Sequence, residues 1–151
     1  MSRAQSLVTW SDEFNLGMQE IDEQHGVLID LINKVWVAVI KKPDREEALK
    51  IFEDLEKYTI THFMAEEIFM REMSYYKFAE HKDQHEQFVA RIAQEKAQIL
   101  VGHPITLEIL QFLKDWLINH ILVADKEYSQ EYKKRAEPTS TLGRFFKRLW
   151  R

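Results

Sequence analysis

Four stretches of this chain place apolar residues at alternating spacings of three and four positions, and this periodicity constrains the fold more than any other feature. The stretches run over residues 21–39, 52–73, 78–99 and 110–124. Such spacing puts the apolar side chains on one face of an α-helix, and that face must pack against neighbours. Three segments that end helices separate the stretches: "KKPD" at 41–44, "SYYK" at 74–77 and "VGHP" at 101–104. The pattern predicts an all-α fold, an antiparallel up-down-up-down four-helix bundle.

The composition is consistent with long helices and narrows the classes of function. The chain has 151 residues with only four Gly and three Pro, so few positions interrupt a helix. Its 21 basic and 25 acidic residues give a net charge of −4, which does not favour a nucleic-acid partner. The absence of Cys excludes disulfides, thiolate metal ligands and thiol catalysis.

Neither a signal peptide nor a membrane span is evident in the sequence. The first ten residues, "MSRAQSLVTW", have no apolar core, and the longest apolar run, "VWVAVI" at 35–40, is too short to cross a bilayer. We therefore expect a cytoplasmic protein.

Polar residues occur at positions that the bundle would bury. Five histidines and one glutamate lie on the core-facing stripes: His25, His62, Glu66, His81, His85 and His120. A single buried histidine is usually a core residue with a satisfied hydrogen bond. Each unpaired polar group in an apolar core, however, costs about 1–3 kcal/mol, and six of them would unfold a marginally stable domain. We infer that one shared partner satisfies all six.

These six residues are also predicted to lie at one level of the bundle. In up-down-up-down topology, the starts of the first and third helices share one end with the ends of the second and fourth. At a rise of about 1.5 Å per residue, all six fall within roughly two helical turns of each other. Histidine is the commonest side-chain metal ligand, and the two in "HKDQH" at 81–85 lie one turn apart on the same face. The sequence therefore predicts a metal site to which all four helices contribute.

Asp125 does not fit the stripe of the fourth helix. It follows His120 by five residues, so a regular α-helix would turn it about 140° away from that histidine. Ala124 would take the core position instead. If Asp125 is a ligand, we predict a π-bulge within residues 120–125, because π-bulges often occur at functional sites. On spacing alone, a surface aspartate beside Lys126 is an equal alternative.

The arrangement of these residues resembles the signature of the bacterial hemerythrin family. Its motifs are "GMQEIDEQH" ending at residue 25, "HFMAEE" at 62–67, "HKDQH" at 81–85 and "HILVAD" at 120–125. All seven family ligand positions match in residue type and order, and the resemblance covers roughly residues 10–132. It favours Asp125 as a ligand. One departure is Lys77, where family members often carry Pro.

The resemblance implies a cofactor of two iron ions with a bridging oxo or hydroxo group. It implies that one iron is held by three histidines: His81, His85 and His120. The other iron would be held by His25 and His62, and both irons would share two bridging carboxylates, Glu66 and Asp125. This set leaves one coordination position open, on the iron with two histidines, where O2 would bind.

Four residues flank the ligands and are expected to form the wall of an O2 pocket: Phe63, Trp116, Leu117 and Ile121. A dry pocket favours reversible binding, because water or protons would leave the iron oxidised. Ordinary core packing is the alternative role for these four residues, and the two roles are compatible.

Carboxylate-rich di-iron oxidases carry Glu-x-x-His repeats, and the stripes of this chain contain none. We therefore expect an O2 carrier, storage or delivery protein and not an enzyme. The alternatives are a di-iron redox enzyme, either a peroxidase or a nitric-oxide-handling protein, and a sensor of O2 or iron.

The C-terminal residues differ in character from the rest. We predict a di-iron bundle over residues 1–135, followed over 136–151 by a linker and a short basic amphipathic helix. Within residues 142–151, five apolar residues at helical spacing alternate with four basic ones. A helix of this kind can lie on an anionic membrane surface or dock on a partner protein, here one that consumes O2. Packing on the acidic bundle, or pairing with a second copy, is the alternative.

Overall fold

The computed structural model of the protein describes residues 6–135, which form helices and no strands. The α-helices are α1 Gln19–Lys41, α2 Arg45–Glu72, α3 Phe78–Leu100, α4 Leu107–Asn119 and α5 Lys126–Arg135. A π-helix, His120–Asp125, joins α4 to α5, and helical backbone angles at both junctions make these three elements one continuous rod. The predicted four-helix bundle is thus confirmed. The predicted basic tail, residues 136–151, lies outside the described residues.

The breaks between helices fall where the sequence predicts them. After α1, Lys42 adopts a left-handed conformation with φ 53°, and Pro43 follows it. Asp44 then caps α2 in a capping box: its side chain accepts a hydrogen bond from the Glu47 backbone amide, while the Glu47 side chain accepts one from the Asp44 amide. Before α4, the Thr106 hydroxyl accepts a hydrogen bond from the Ile109 amide. These caps satisfy amides that a helix start leaves unpaired.

Two apolar clusters occupy the two ends of the bundle. The larger one is built from all four helices and has Phe52, Leu55 and Ile92 fully buried near its centre. The smaller one lies at the other end and includes Met70, Tyr75 and Tyr128. The predicted polar positions form a layer between these clusters, so apolar side chains separate that layer from solvent at both ends of the bundle.

Among residues 6–135, no helix is both long enough and apolar enough to cross a membrane.

Candidate metal centre

The predicted ligands come together from every rod of the bundle. α1 contributes His25, α2 contributes His62 and Glu66, α3 contributes His81 and His85, and the π-helix contributes His120 and Asp125. Each of the seven side chains belongs to a residue that is 3% exposed or less. The convergence at one level that the sequence predicts is therefore found.

The seven residues divide into two overlapping sets, each with ligand atoms within 4.8 Å of one another. One set contains three histidines and two carboxylates: His81, His85, His120, Glu66 and Asp125. The other contains two histidines with the same two carboxylates: His25, His62, Glu66 and Asp125. The structure therefore contains two adjacent groups of potential metal ligands, and both groups include Glu66 and Asp125.

Several nitrogen and oxygen atoms of the predicted ligands lie close together without forming hydrogen bonds with one another. The Asp125 carboxylate lies 2.9 Å from His25 Nε2 and 3.0 Å from His81 Nε2. Yet within residues 6–135, both of these Nε2 atoms and Asp125 Oδ1 lack a hydrogen-bond partner. The same holds for His62 Nε2 and Glu66 Oε1, which lie 3.4 Å apart. Buried polar atoms are almost always paired, so this arrangement fits lone pairs directed at a shared ion.

Three of the histidines have the second ring nitrogen fixed by a neighbouring side chain. The Nδ1–H of His62 donates to Gln24 Oε1 at 2.5 Å, and that of His120 donates to Gln84 Oε1 at 3.0 Å. His85 Nδ1 lies 2.8 Å from Glu67 Oε2. A proton held on Nδ1 leaves the Nε2 lone pair free, and such outer contacts orient metal-ligating histidines in proteins.

Glu66, which belongs to both ligand sets, is held in place by a buried tyrosine. The Tyr128 hydroxyl donates a hydrogen bond of 2.6 Å to Glu66 Oε2, and Tyr128 is fully buried. Burial and the nearby Glu66 and Asp125 carboxylates raise the pKa of Tyr128 well above its ordinary value. The phenol therefore keeps its proton and acts as a fixed hydrogen-bond donor.

Both carboxylates are ionised. Burial alone would raise the pKa of Glu66, and so would the Asp125 charge, but the facing His62 and His85 imidazoles outweigh them and lower it to about 2. Burial opposes ionisation of Asp125 too, yet His120 and its other histidine neighbours hold its pKa well below the ordinary value. Two buried anions beside unpaired imidazole nitrogens form a site for a cation.

The imidazoles differ in how readily they give up a proton. Burial lowers the pKa of His62 to about 4, so this ring is neutral and its lone pair is available. Burial also opposes protonation of His85, but its contacts with Glu66 and Glu67 raise its pKa to about 9. A metal ion must therefore displace a proton from His85, as is general where metal binding is coupled to ligand deprotonation.

The π-helix brings Asp125 into the site. Six residues, His120–Asp125, form it, and both terminal residues are buried. The predicted π-bulge is thus confirmed. The prediction that Ala124 takes the core position is wrong, since this residue is partly exposed. The wider turn of the π-helix puts the next residue, Asp125, at the buried position instead.

The four predicted pocket residues lie against the same layer. The Phe63 ring stacks on His85 with centroids 3.7 Å apart, and Trp116 stacks on His120 at 4.4 Å. Leu117 and Ile121 are buried in the larger apolar cluster with Phe63. Core packing of these residues is therefore observed, while their role as an O2 pocket stays a prediction.

Four residues whose side chains contact the predicted ligands were not predicted from the sequence: Gln24, Glu67, Gln84 and Tyr128. A signal for three of them was available, because each directly adjoins a ligand inside a motif, as in "EQH", "AEE" and "DQH". Tyr128 follows Asp125 by three residues. Residues three apart share one face of an α-helix, so this spacing would have placed Tyr128 on the same buried face as Asp125.

Comparison with known proteins agrees with this geometry. The family model described as "Hemerythrin HHE cation binding domain" matches residues 16–132. The bacteriohemerythrin of Stenotrophomonas maltophilia is 34% identical over 128 residues, which cover 85% of this chain and 83% of that protein. The bacteriohemerythrin of Methylococcus capsulatus is 32% identical over 125 residues, which cover 82% of this chain and 95% of that one.

Solved structures give the same result. A crystal structure of a wild-type hemerythrin matches with a TM-score of 0.77 at 32% identity, covering 82% of this chain and 96% of that chain. The family model spans most of the chain, and the two bacteriohemerythrins are more than 30% identical over about four fifths of it. This chain belongs to the hemerythrin family.

Proposed function

We propose that this protein binds O2 reversibly at a non-heme di-iron centre and serves as an O2 carrier, store or delivery protein. The observation that carries the proposal is the pair of overlapping ligand sets, one with three histidines and one with two, that share Glu66 and Asp125. Two metal positions of unequal ligand number are suited to binding an external molecule, because the position with fewer protein ligands has room for it.

The donors present fit iron. Neutral imidazoles suit iron among other transition metals, and buried carboxylates supply charge compensation and bridges. In this assignment His81, His85 and His120 hold one ion, while His25 and His62 hold the other. When bound, the iron pair would supply the two electrons and the open coordination position that reversible O2 binding requires.

The surrounding residues favour binding of O2 over its reduction. Apolar side chains cover the layer on both sides, and Phe63 and Trp116 stack directly on ligand rings. The buried hydroxyl that contacts Glu66, that of Tyr128, has a raised pKa and so is a poor proton donor. A dry site with few mobile protons lets a bound O2 molecule leave unchanged. This is the ground for proposing a carrier in preference to a di-iron redox enzyme or a sensor.

An optical experiment on the iron-loaded protein tests this proposal. The reduced protein is exposed to air and then to vacuum, and its visible absorption is followed. The proposal predicts a band that appears with O2 and disappears when O2 is removed, over repeated cycles. Immediate irreversible oxidation with release of peroxide would instead indicate a redox enzyme.

A histidine substitution tests the ligand assignment. His62→Ala removes one of only two imidazoles in the smaller set, so the O2-dependent band should be lost. His103→Ala is the matched control, because His103 is exposed and lies in the turn before α4, and it should keep the band. An unchanged spectrum in His62→Ala would refute the assignment.

We also propose that the C-terminal tail binds an anionic membrane surface or an O2-consuming partner protein. The support is its sequence alone, four basic residues among apolar ones at helical spacing within residues 142–151. Sedimentation with anionic and with neutral lipid vesicles tests the membrane case: the full chain should bind anionic vesicles, and a chain lacking residues 139–151 should not. The truncated chain should still bind O2, and lost O2 binding would contradict a separable tail.

A further inference from the structure

Thr59 of α2 carries a buried hydroxyl. The residue is 0% exposed, and its Oγ1 has no hydrogen-bond partner within residues 6–135. Two residues further along the same helix, the Thr61 hydroxyl donates to the Lys57 carbonyl oxygen at 2.9 Å, as helical threonines commonly do. The backbone of α2 therefore accepts a hydrogen bond from the Thr61 hydroxyl but not from the Thr59 hydroxyl.

The position of Thr59 is equivalent to an apolar position on each of the other rods. One turn from the ligand layer, toward the larger apolar cluster, the side chains are Leu28 on α1, Phe88 on α3 and Leu117 on α4. Each lies three residues from a ligand histidine, and each is 2% exposed or less. Thr59 stands in the same relation to His62. It thus places a hydroxyl in a layer that is otherwise apolar at the corresponding positions.

Thr59 lies one helical turn before His62, which belongs to the set with two histidines. Side chains of an α-helix lean toward its N-terminus, so the His62 ring is carried over the turn that contains Thr59. Residues three apart also share one helix face. This helical geometry places the hydroxyl next to the set with fewer protein ligands, where the proposed function leaves room for an external molecule.

We propose that the Thr59 hydroxyl donates a hydrogen bond to the small molecule held at the position of His25 and His62, and so selects ligands that carry an accepting atom. A polar group buried without a partner destabilises the folded chain, which is consistent with a group whose partner arrives only with the ligand. The inference rests on the proposed function and extends it, by naming a specificity-determining residue.

Azide titration of the oxidised, iron-loaded protein tests the inference. Thr59→Val keeps the side-chain shape and removes the hydroxyl, so azide should bind about tenfold more weakly, the loss expected for one hydrogen bond to a charged group. Thr59→Ser keeps a hydroxyl and should bind azide within about threefold of the unaltered protein. Thr61→Val is the matched control and should be unchanged. The infrared stretching frequency of bound azide should shift in Thr59→Val alone.

The metal-free chain supplies a second readout. Because Thr59→Val removes an unsatisfied hydroxyl, it should melt at the same temperature as the unaltered chain or a few degrees higher. A lower melting temperature would mean that the hydroxyl makes a structural hydrogen bond, and would overturn the inference. Failure of Thr59→Val to fold would count as such a loss of stability; Thr59→Ala, which also removes a buried methyl group, then serves in the azide titration alone.

The remaining outcomes separate this inference from the proposed function. Normal iron loading with equal azide affinity in Thr59→Val would overturn the inference alone. Equal weakening in Thr59→Val and Thr59→Ser would assign the effect to packing and would also overturn it. An unaltered protein that holds no iron, or whose iron binds no azide, would contradict the proposed function and this inference together.

Discussion

Two regions of this bundle bury side chains of opposite character: the larger apolar cluster and the polar layer beside it. In the half that contains the start of α2 and the end of α3, the core is filled by apolar residues such as Phe52, Leu55 and Ile92. These side chains need no hydrogen-bond partner. In the half that contains the π-helix, the core layer consists of five imidazoles and two carboxylates. The apolar half can fold by excluding water, whereas the polar half is complete only when a cation joins it.

The difference explains which interactions should govern folding and which should govern function. Burial of apolar surface is the main favourable contribution to folding. The polar layer opposes folding unless its donors are satisfied. Substitutions in the two halves should therefore have separable effects on stability and on bound iron.

The largest effect is expected for Asp125→Ala. The Asp125 carboxylate lies within 3.2 Å of Nε2 atoms from His25, His81 and His120, so it links both ligand sets. Its removal should lower bound iron, measured by elemental analysis, from two ions per chain to one or none. Circular dichroism should show the helices intact. Asp115→Ala, at an exposed aspartate on α4, should keep both ions, and retention of both by Asp125→Ala would show that the polar layer binds iron without this carboxylate.

A truncation in the apolar half should act on stability alone. Phe52 is fully buried in the larger cluster, and Phe52→Ala should cost about 3–5 kcal/mol of unfolding free energy, measured by urea denaturation. The folded variant should still bind two irons. Ile40→Ala, at an exposed position of the same half, should stay within about 0.5 kcal/mol of the unaltered chain. Loss of iron in the folded Phe52 variant would show that the halves are not independent.

Tyr128→Phe alters the surroundings of the polar layer without removing a ligand. It deletes the hydrogen bond to Glu66, and the loss of such an outer contact typically costs about 10–100-fold in metal affinity. Competition with a chelator measures this. The control is Tyr76→Phe, since Tyr76 is 68% exposed. If Tyr128→Phe holds iron as tightly as this control, the tyrosine does not support the bridge.

The smallest effect is expected at Gly26, beside His25 on α1. A Cβ added there would meet nothing within 4 Å, so Gly26→Ala should raise the unfolding free energy by about 1 kcal/mol through helix propensity. Gly102→Ala, at φ 100° after α3, should instead lower it by about 1–2 kcal/mol. Iron content should stay at two ions per chain in both. A destabilised Gly26→Ala would show that the polar half requires this glycine.

The sequence predicts much of this organisation because the histidines follow the same helical spacing as the apolar core residues. The 3-4 spacing identifies the helices and their buried faces, and the breaks at residues 41–44 and 101–104 match the observed ends of α1 and α3. Histidines on those faces identify the polar layer. The five-residue step from His120 to Asp125, taken with the resemblance that favours Asp125 as a ligand, predicts the π-helix, since only a wider turn puts both residues on one face.

Other features depend on contacts that spacing does not report. The helical period indicates only which residues lie on the buried face. Gln24 and Gln84 each lie one position before a ligand and so beside that face, where the period predicts no contact. Their partners, His62 and His120, are on other helices, so the pairings require the packed bundle. That Thr59 finds no partner in the part of the chain that the structure describes is likewise a property of its three-dimensional surroundings, because Thr61 on the same helix has one.

Anaerobic titration of the metal-free protein with Fe²⁺ shows directly whether the buried polar layer holds two metal ions. Bound iron is measured against added iron, and we expect saturation at two ions per chain. Saturation at one ion, or failure to bind iron, would contradict it.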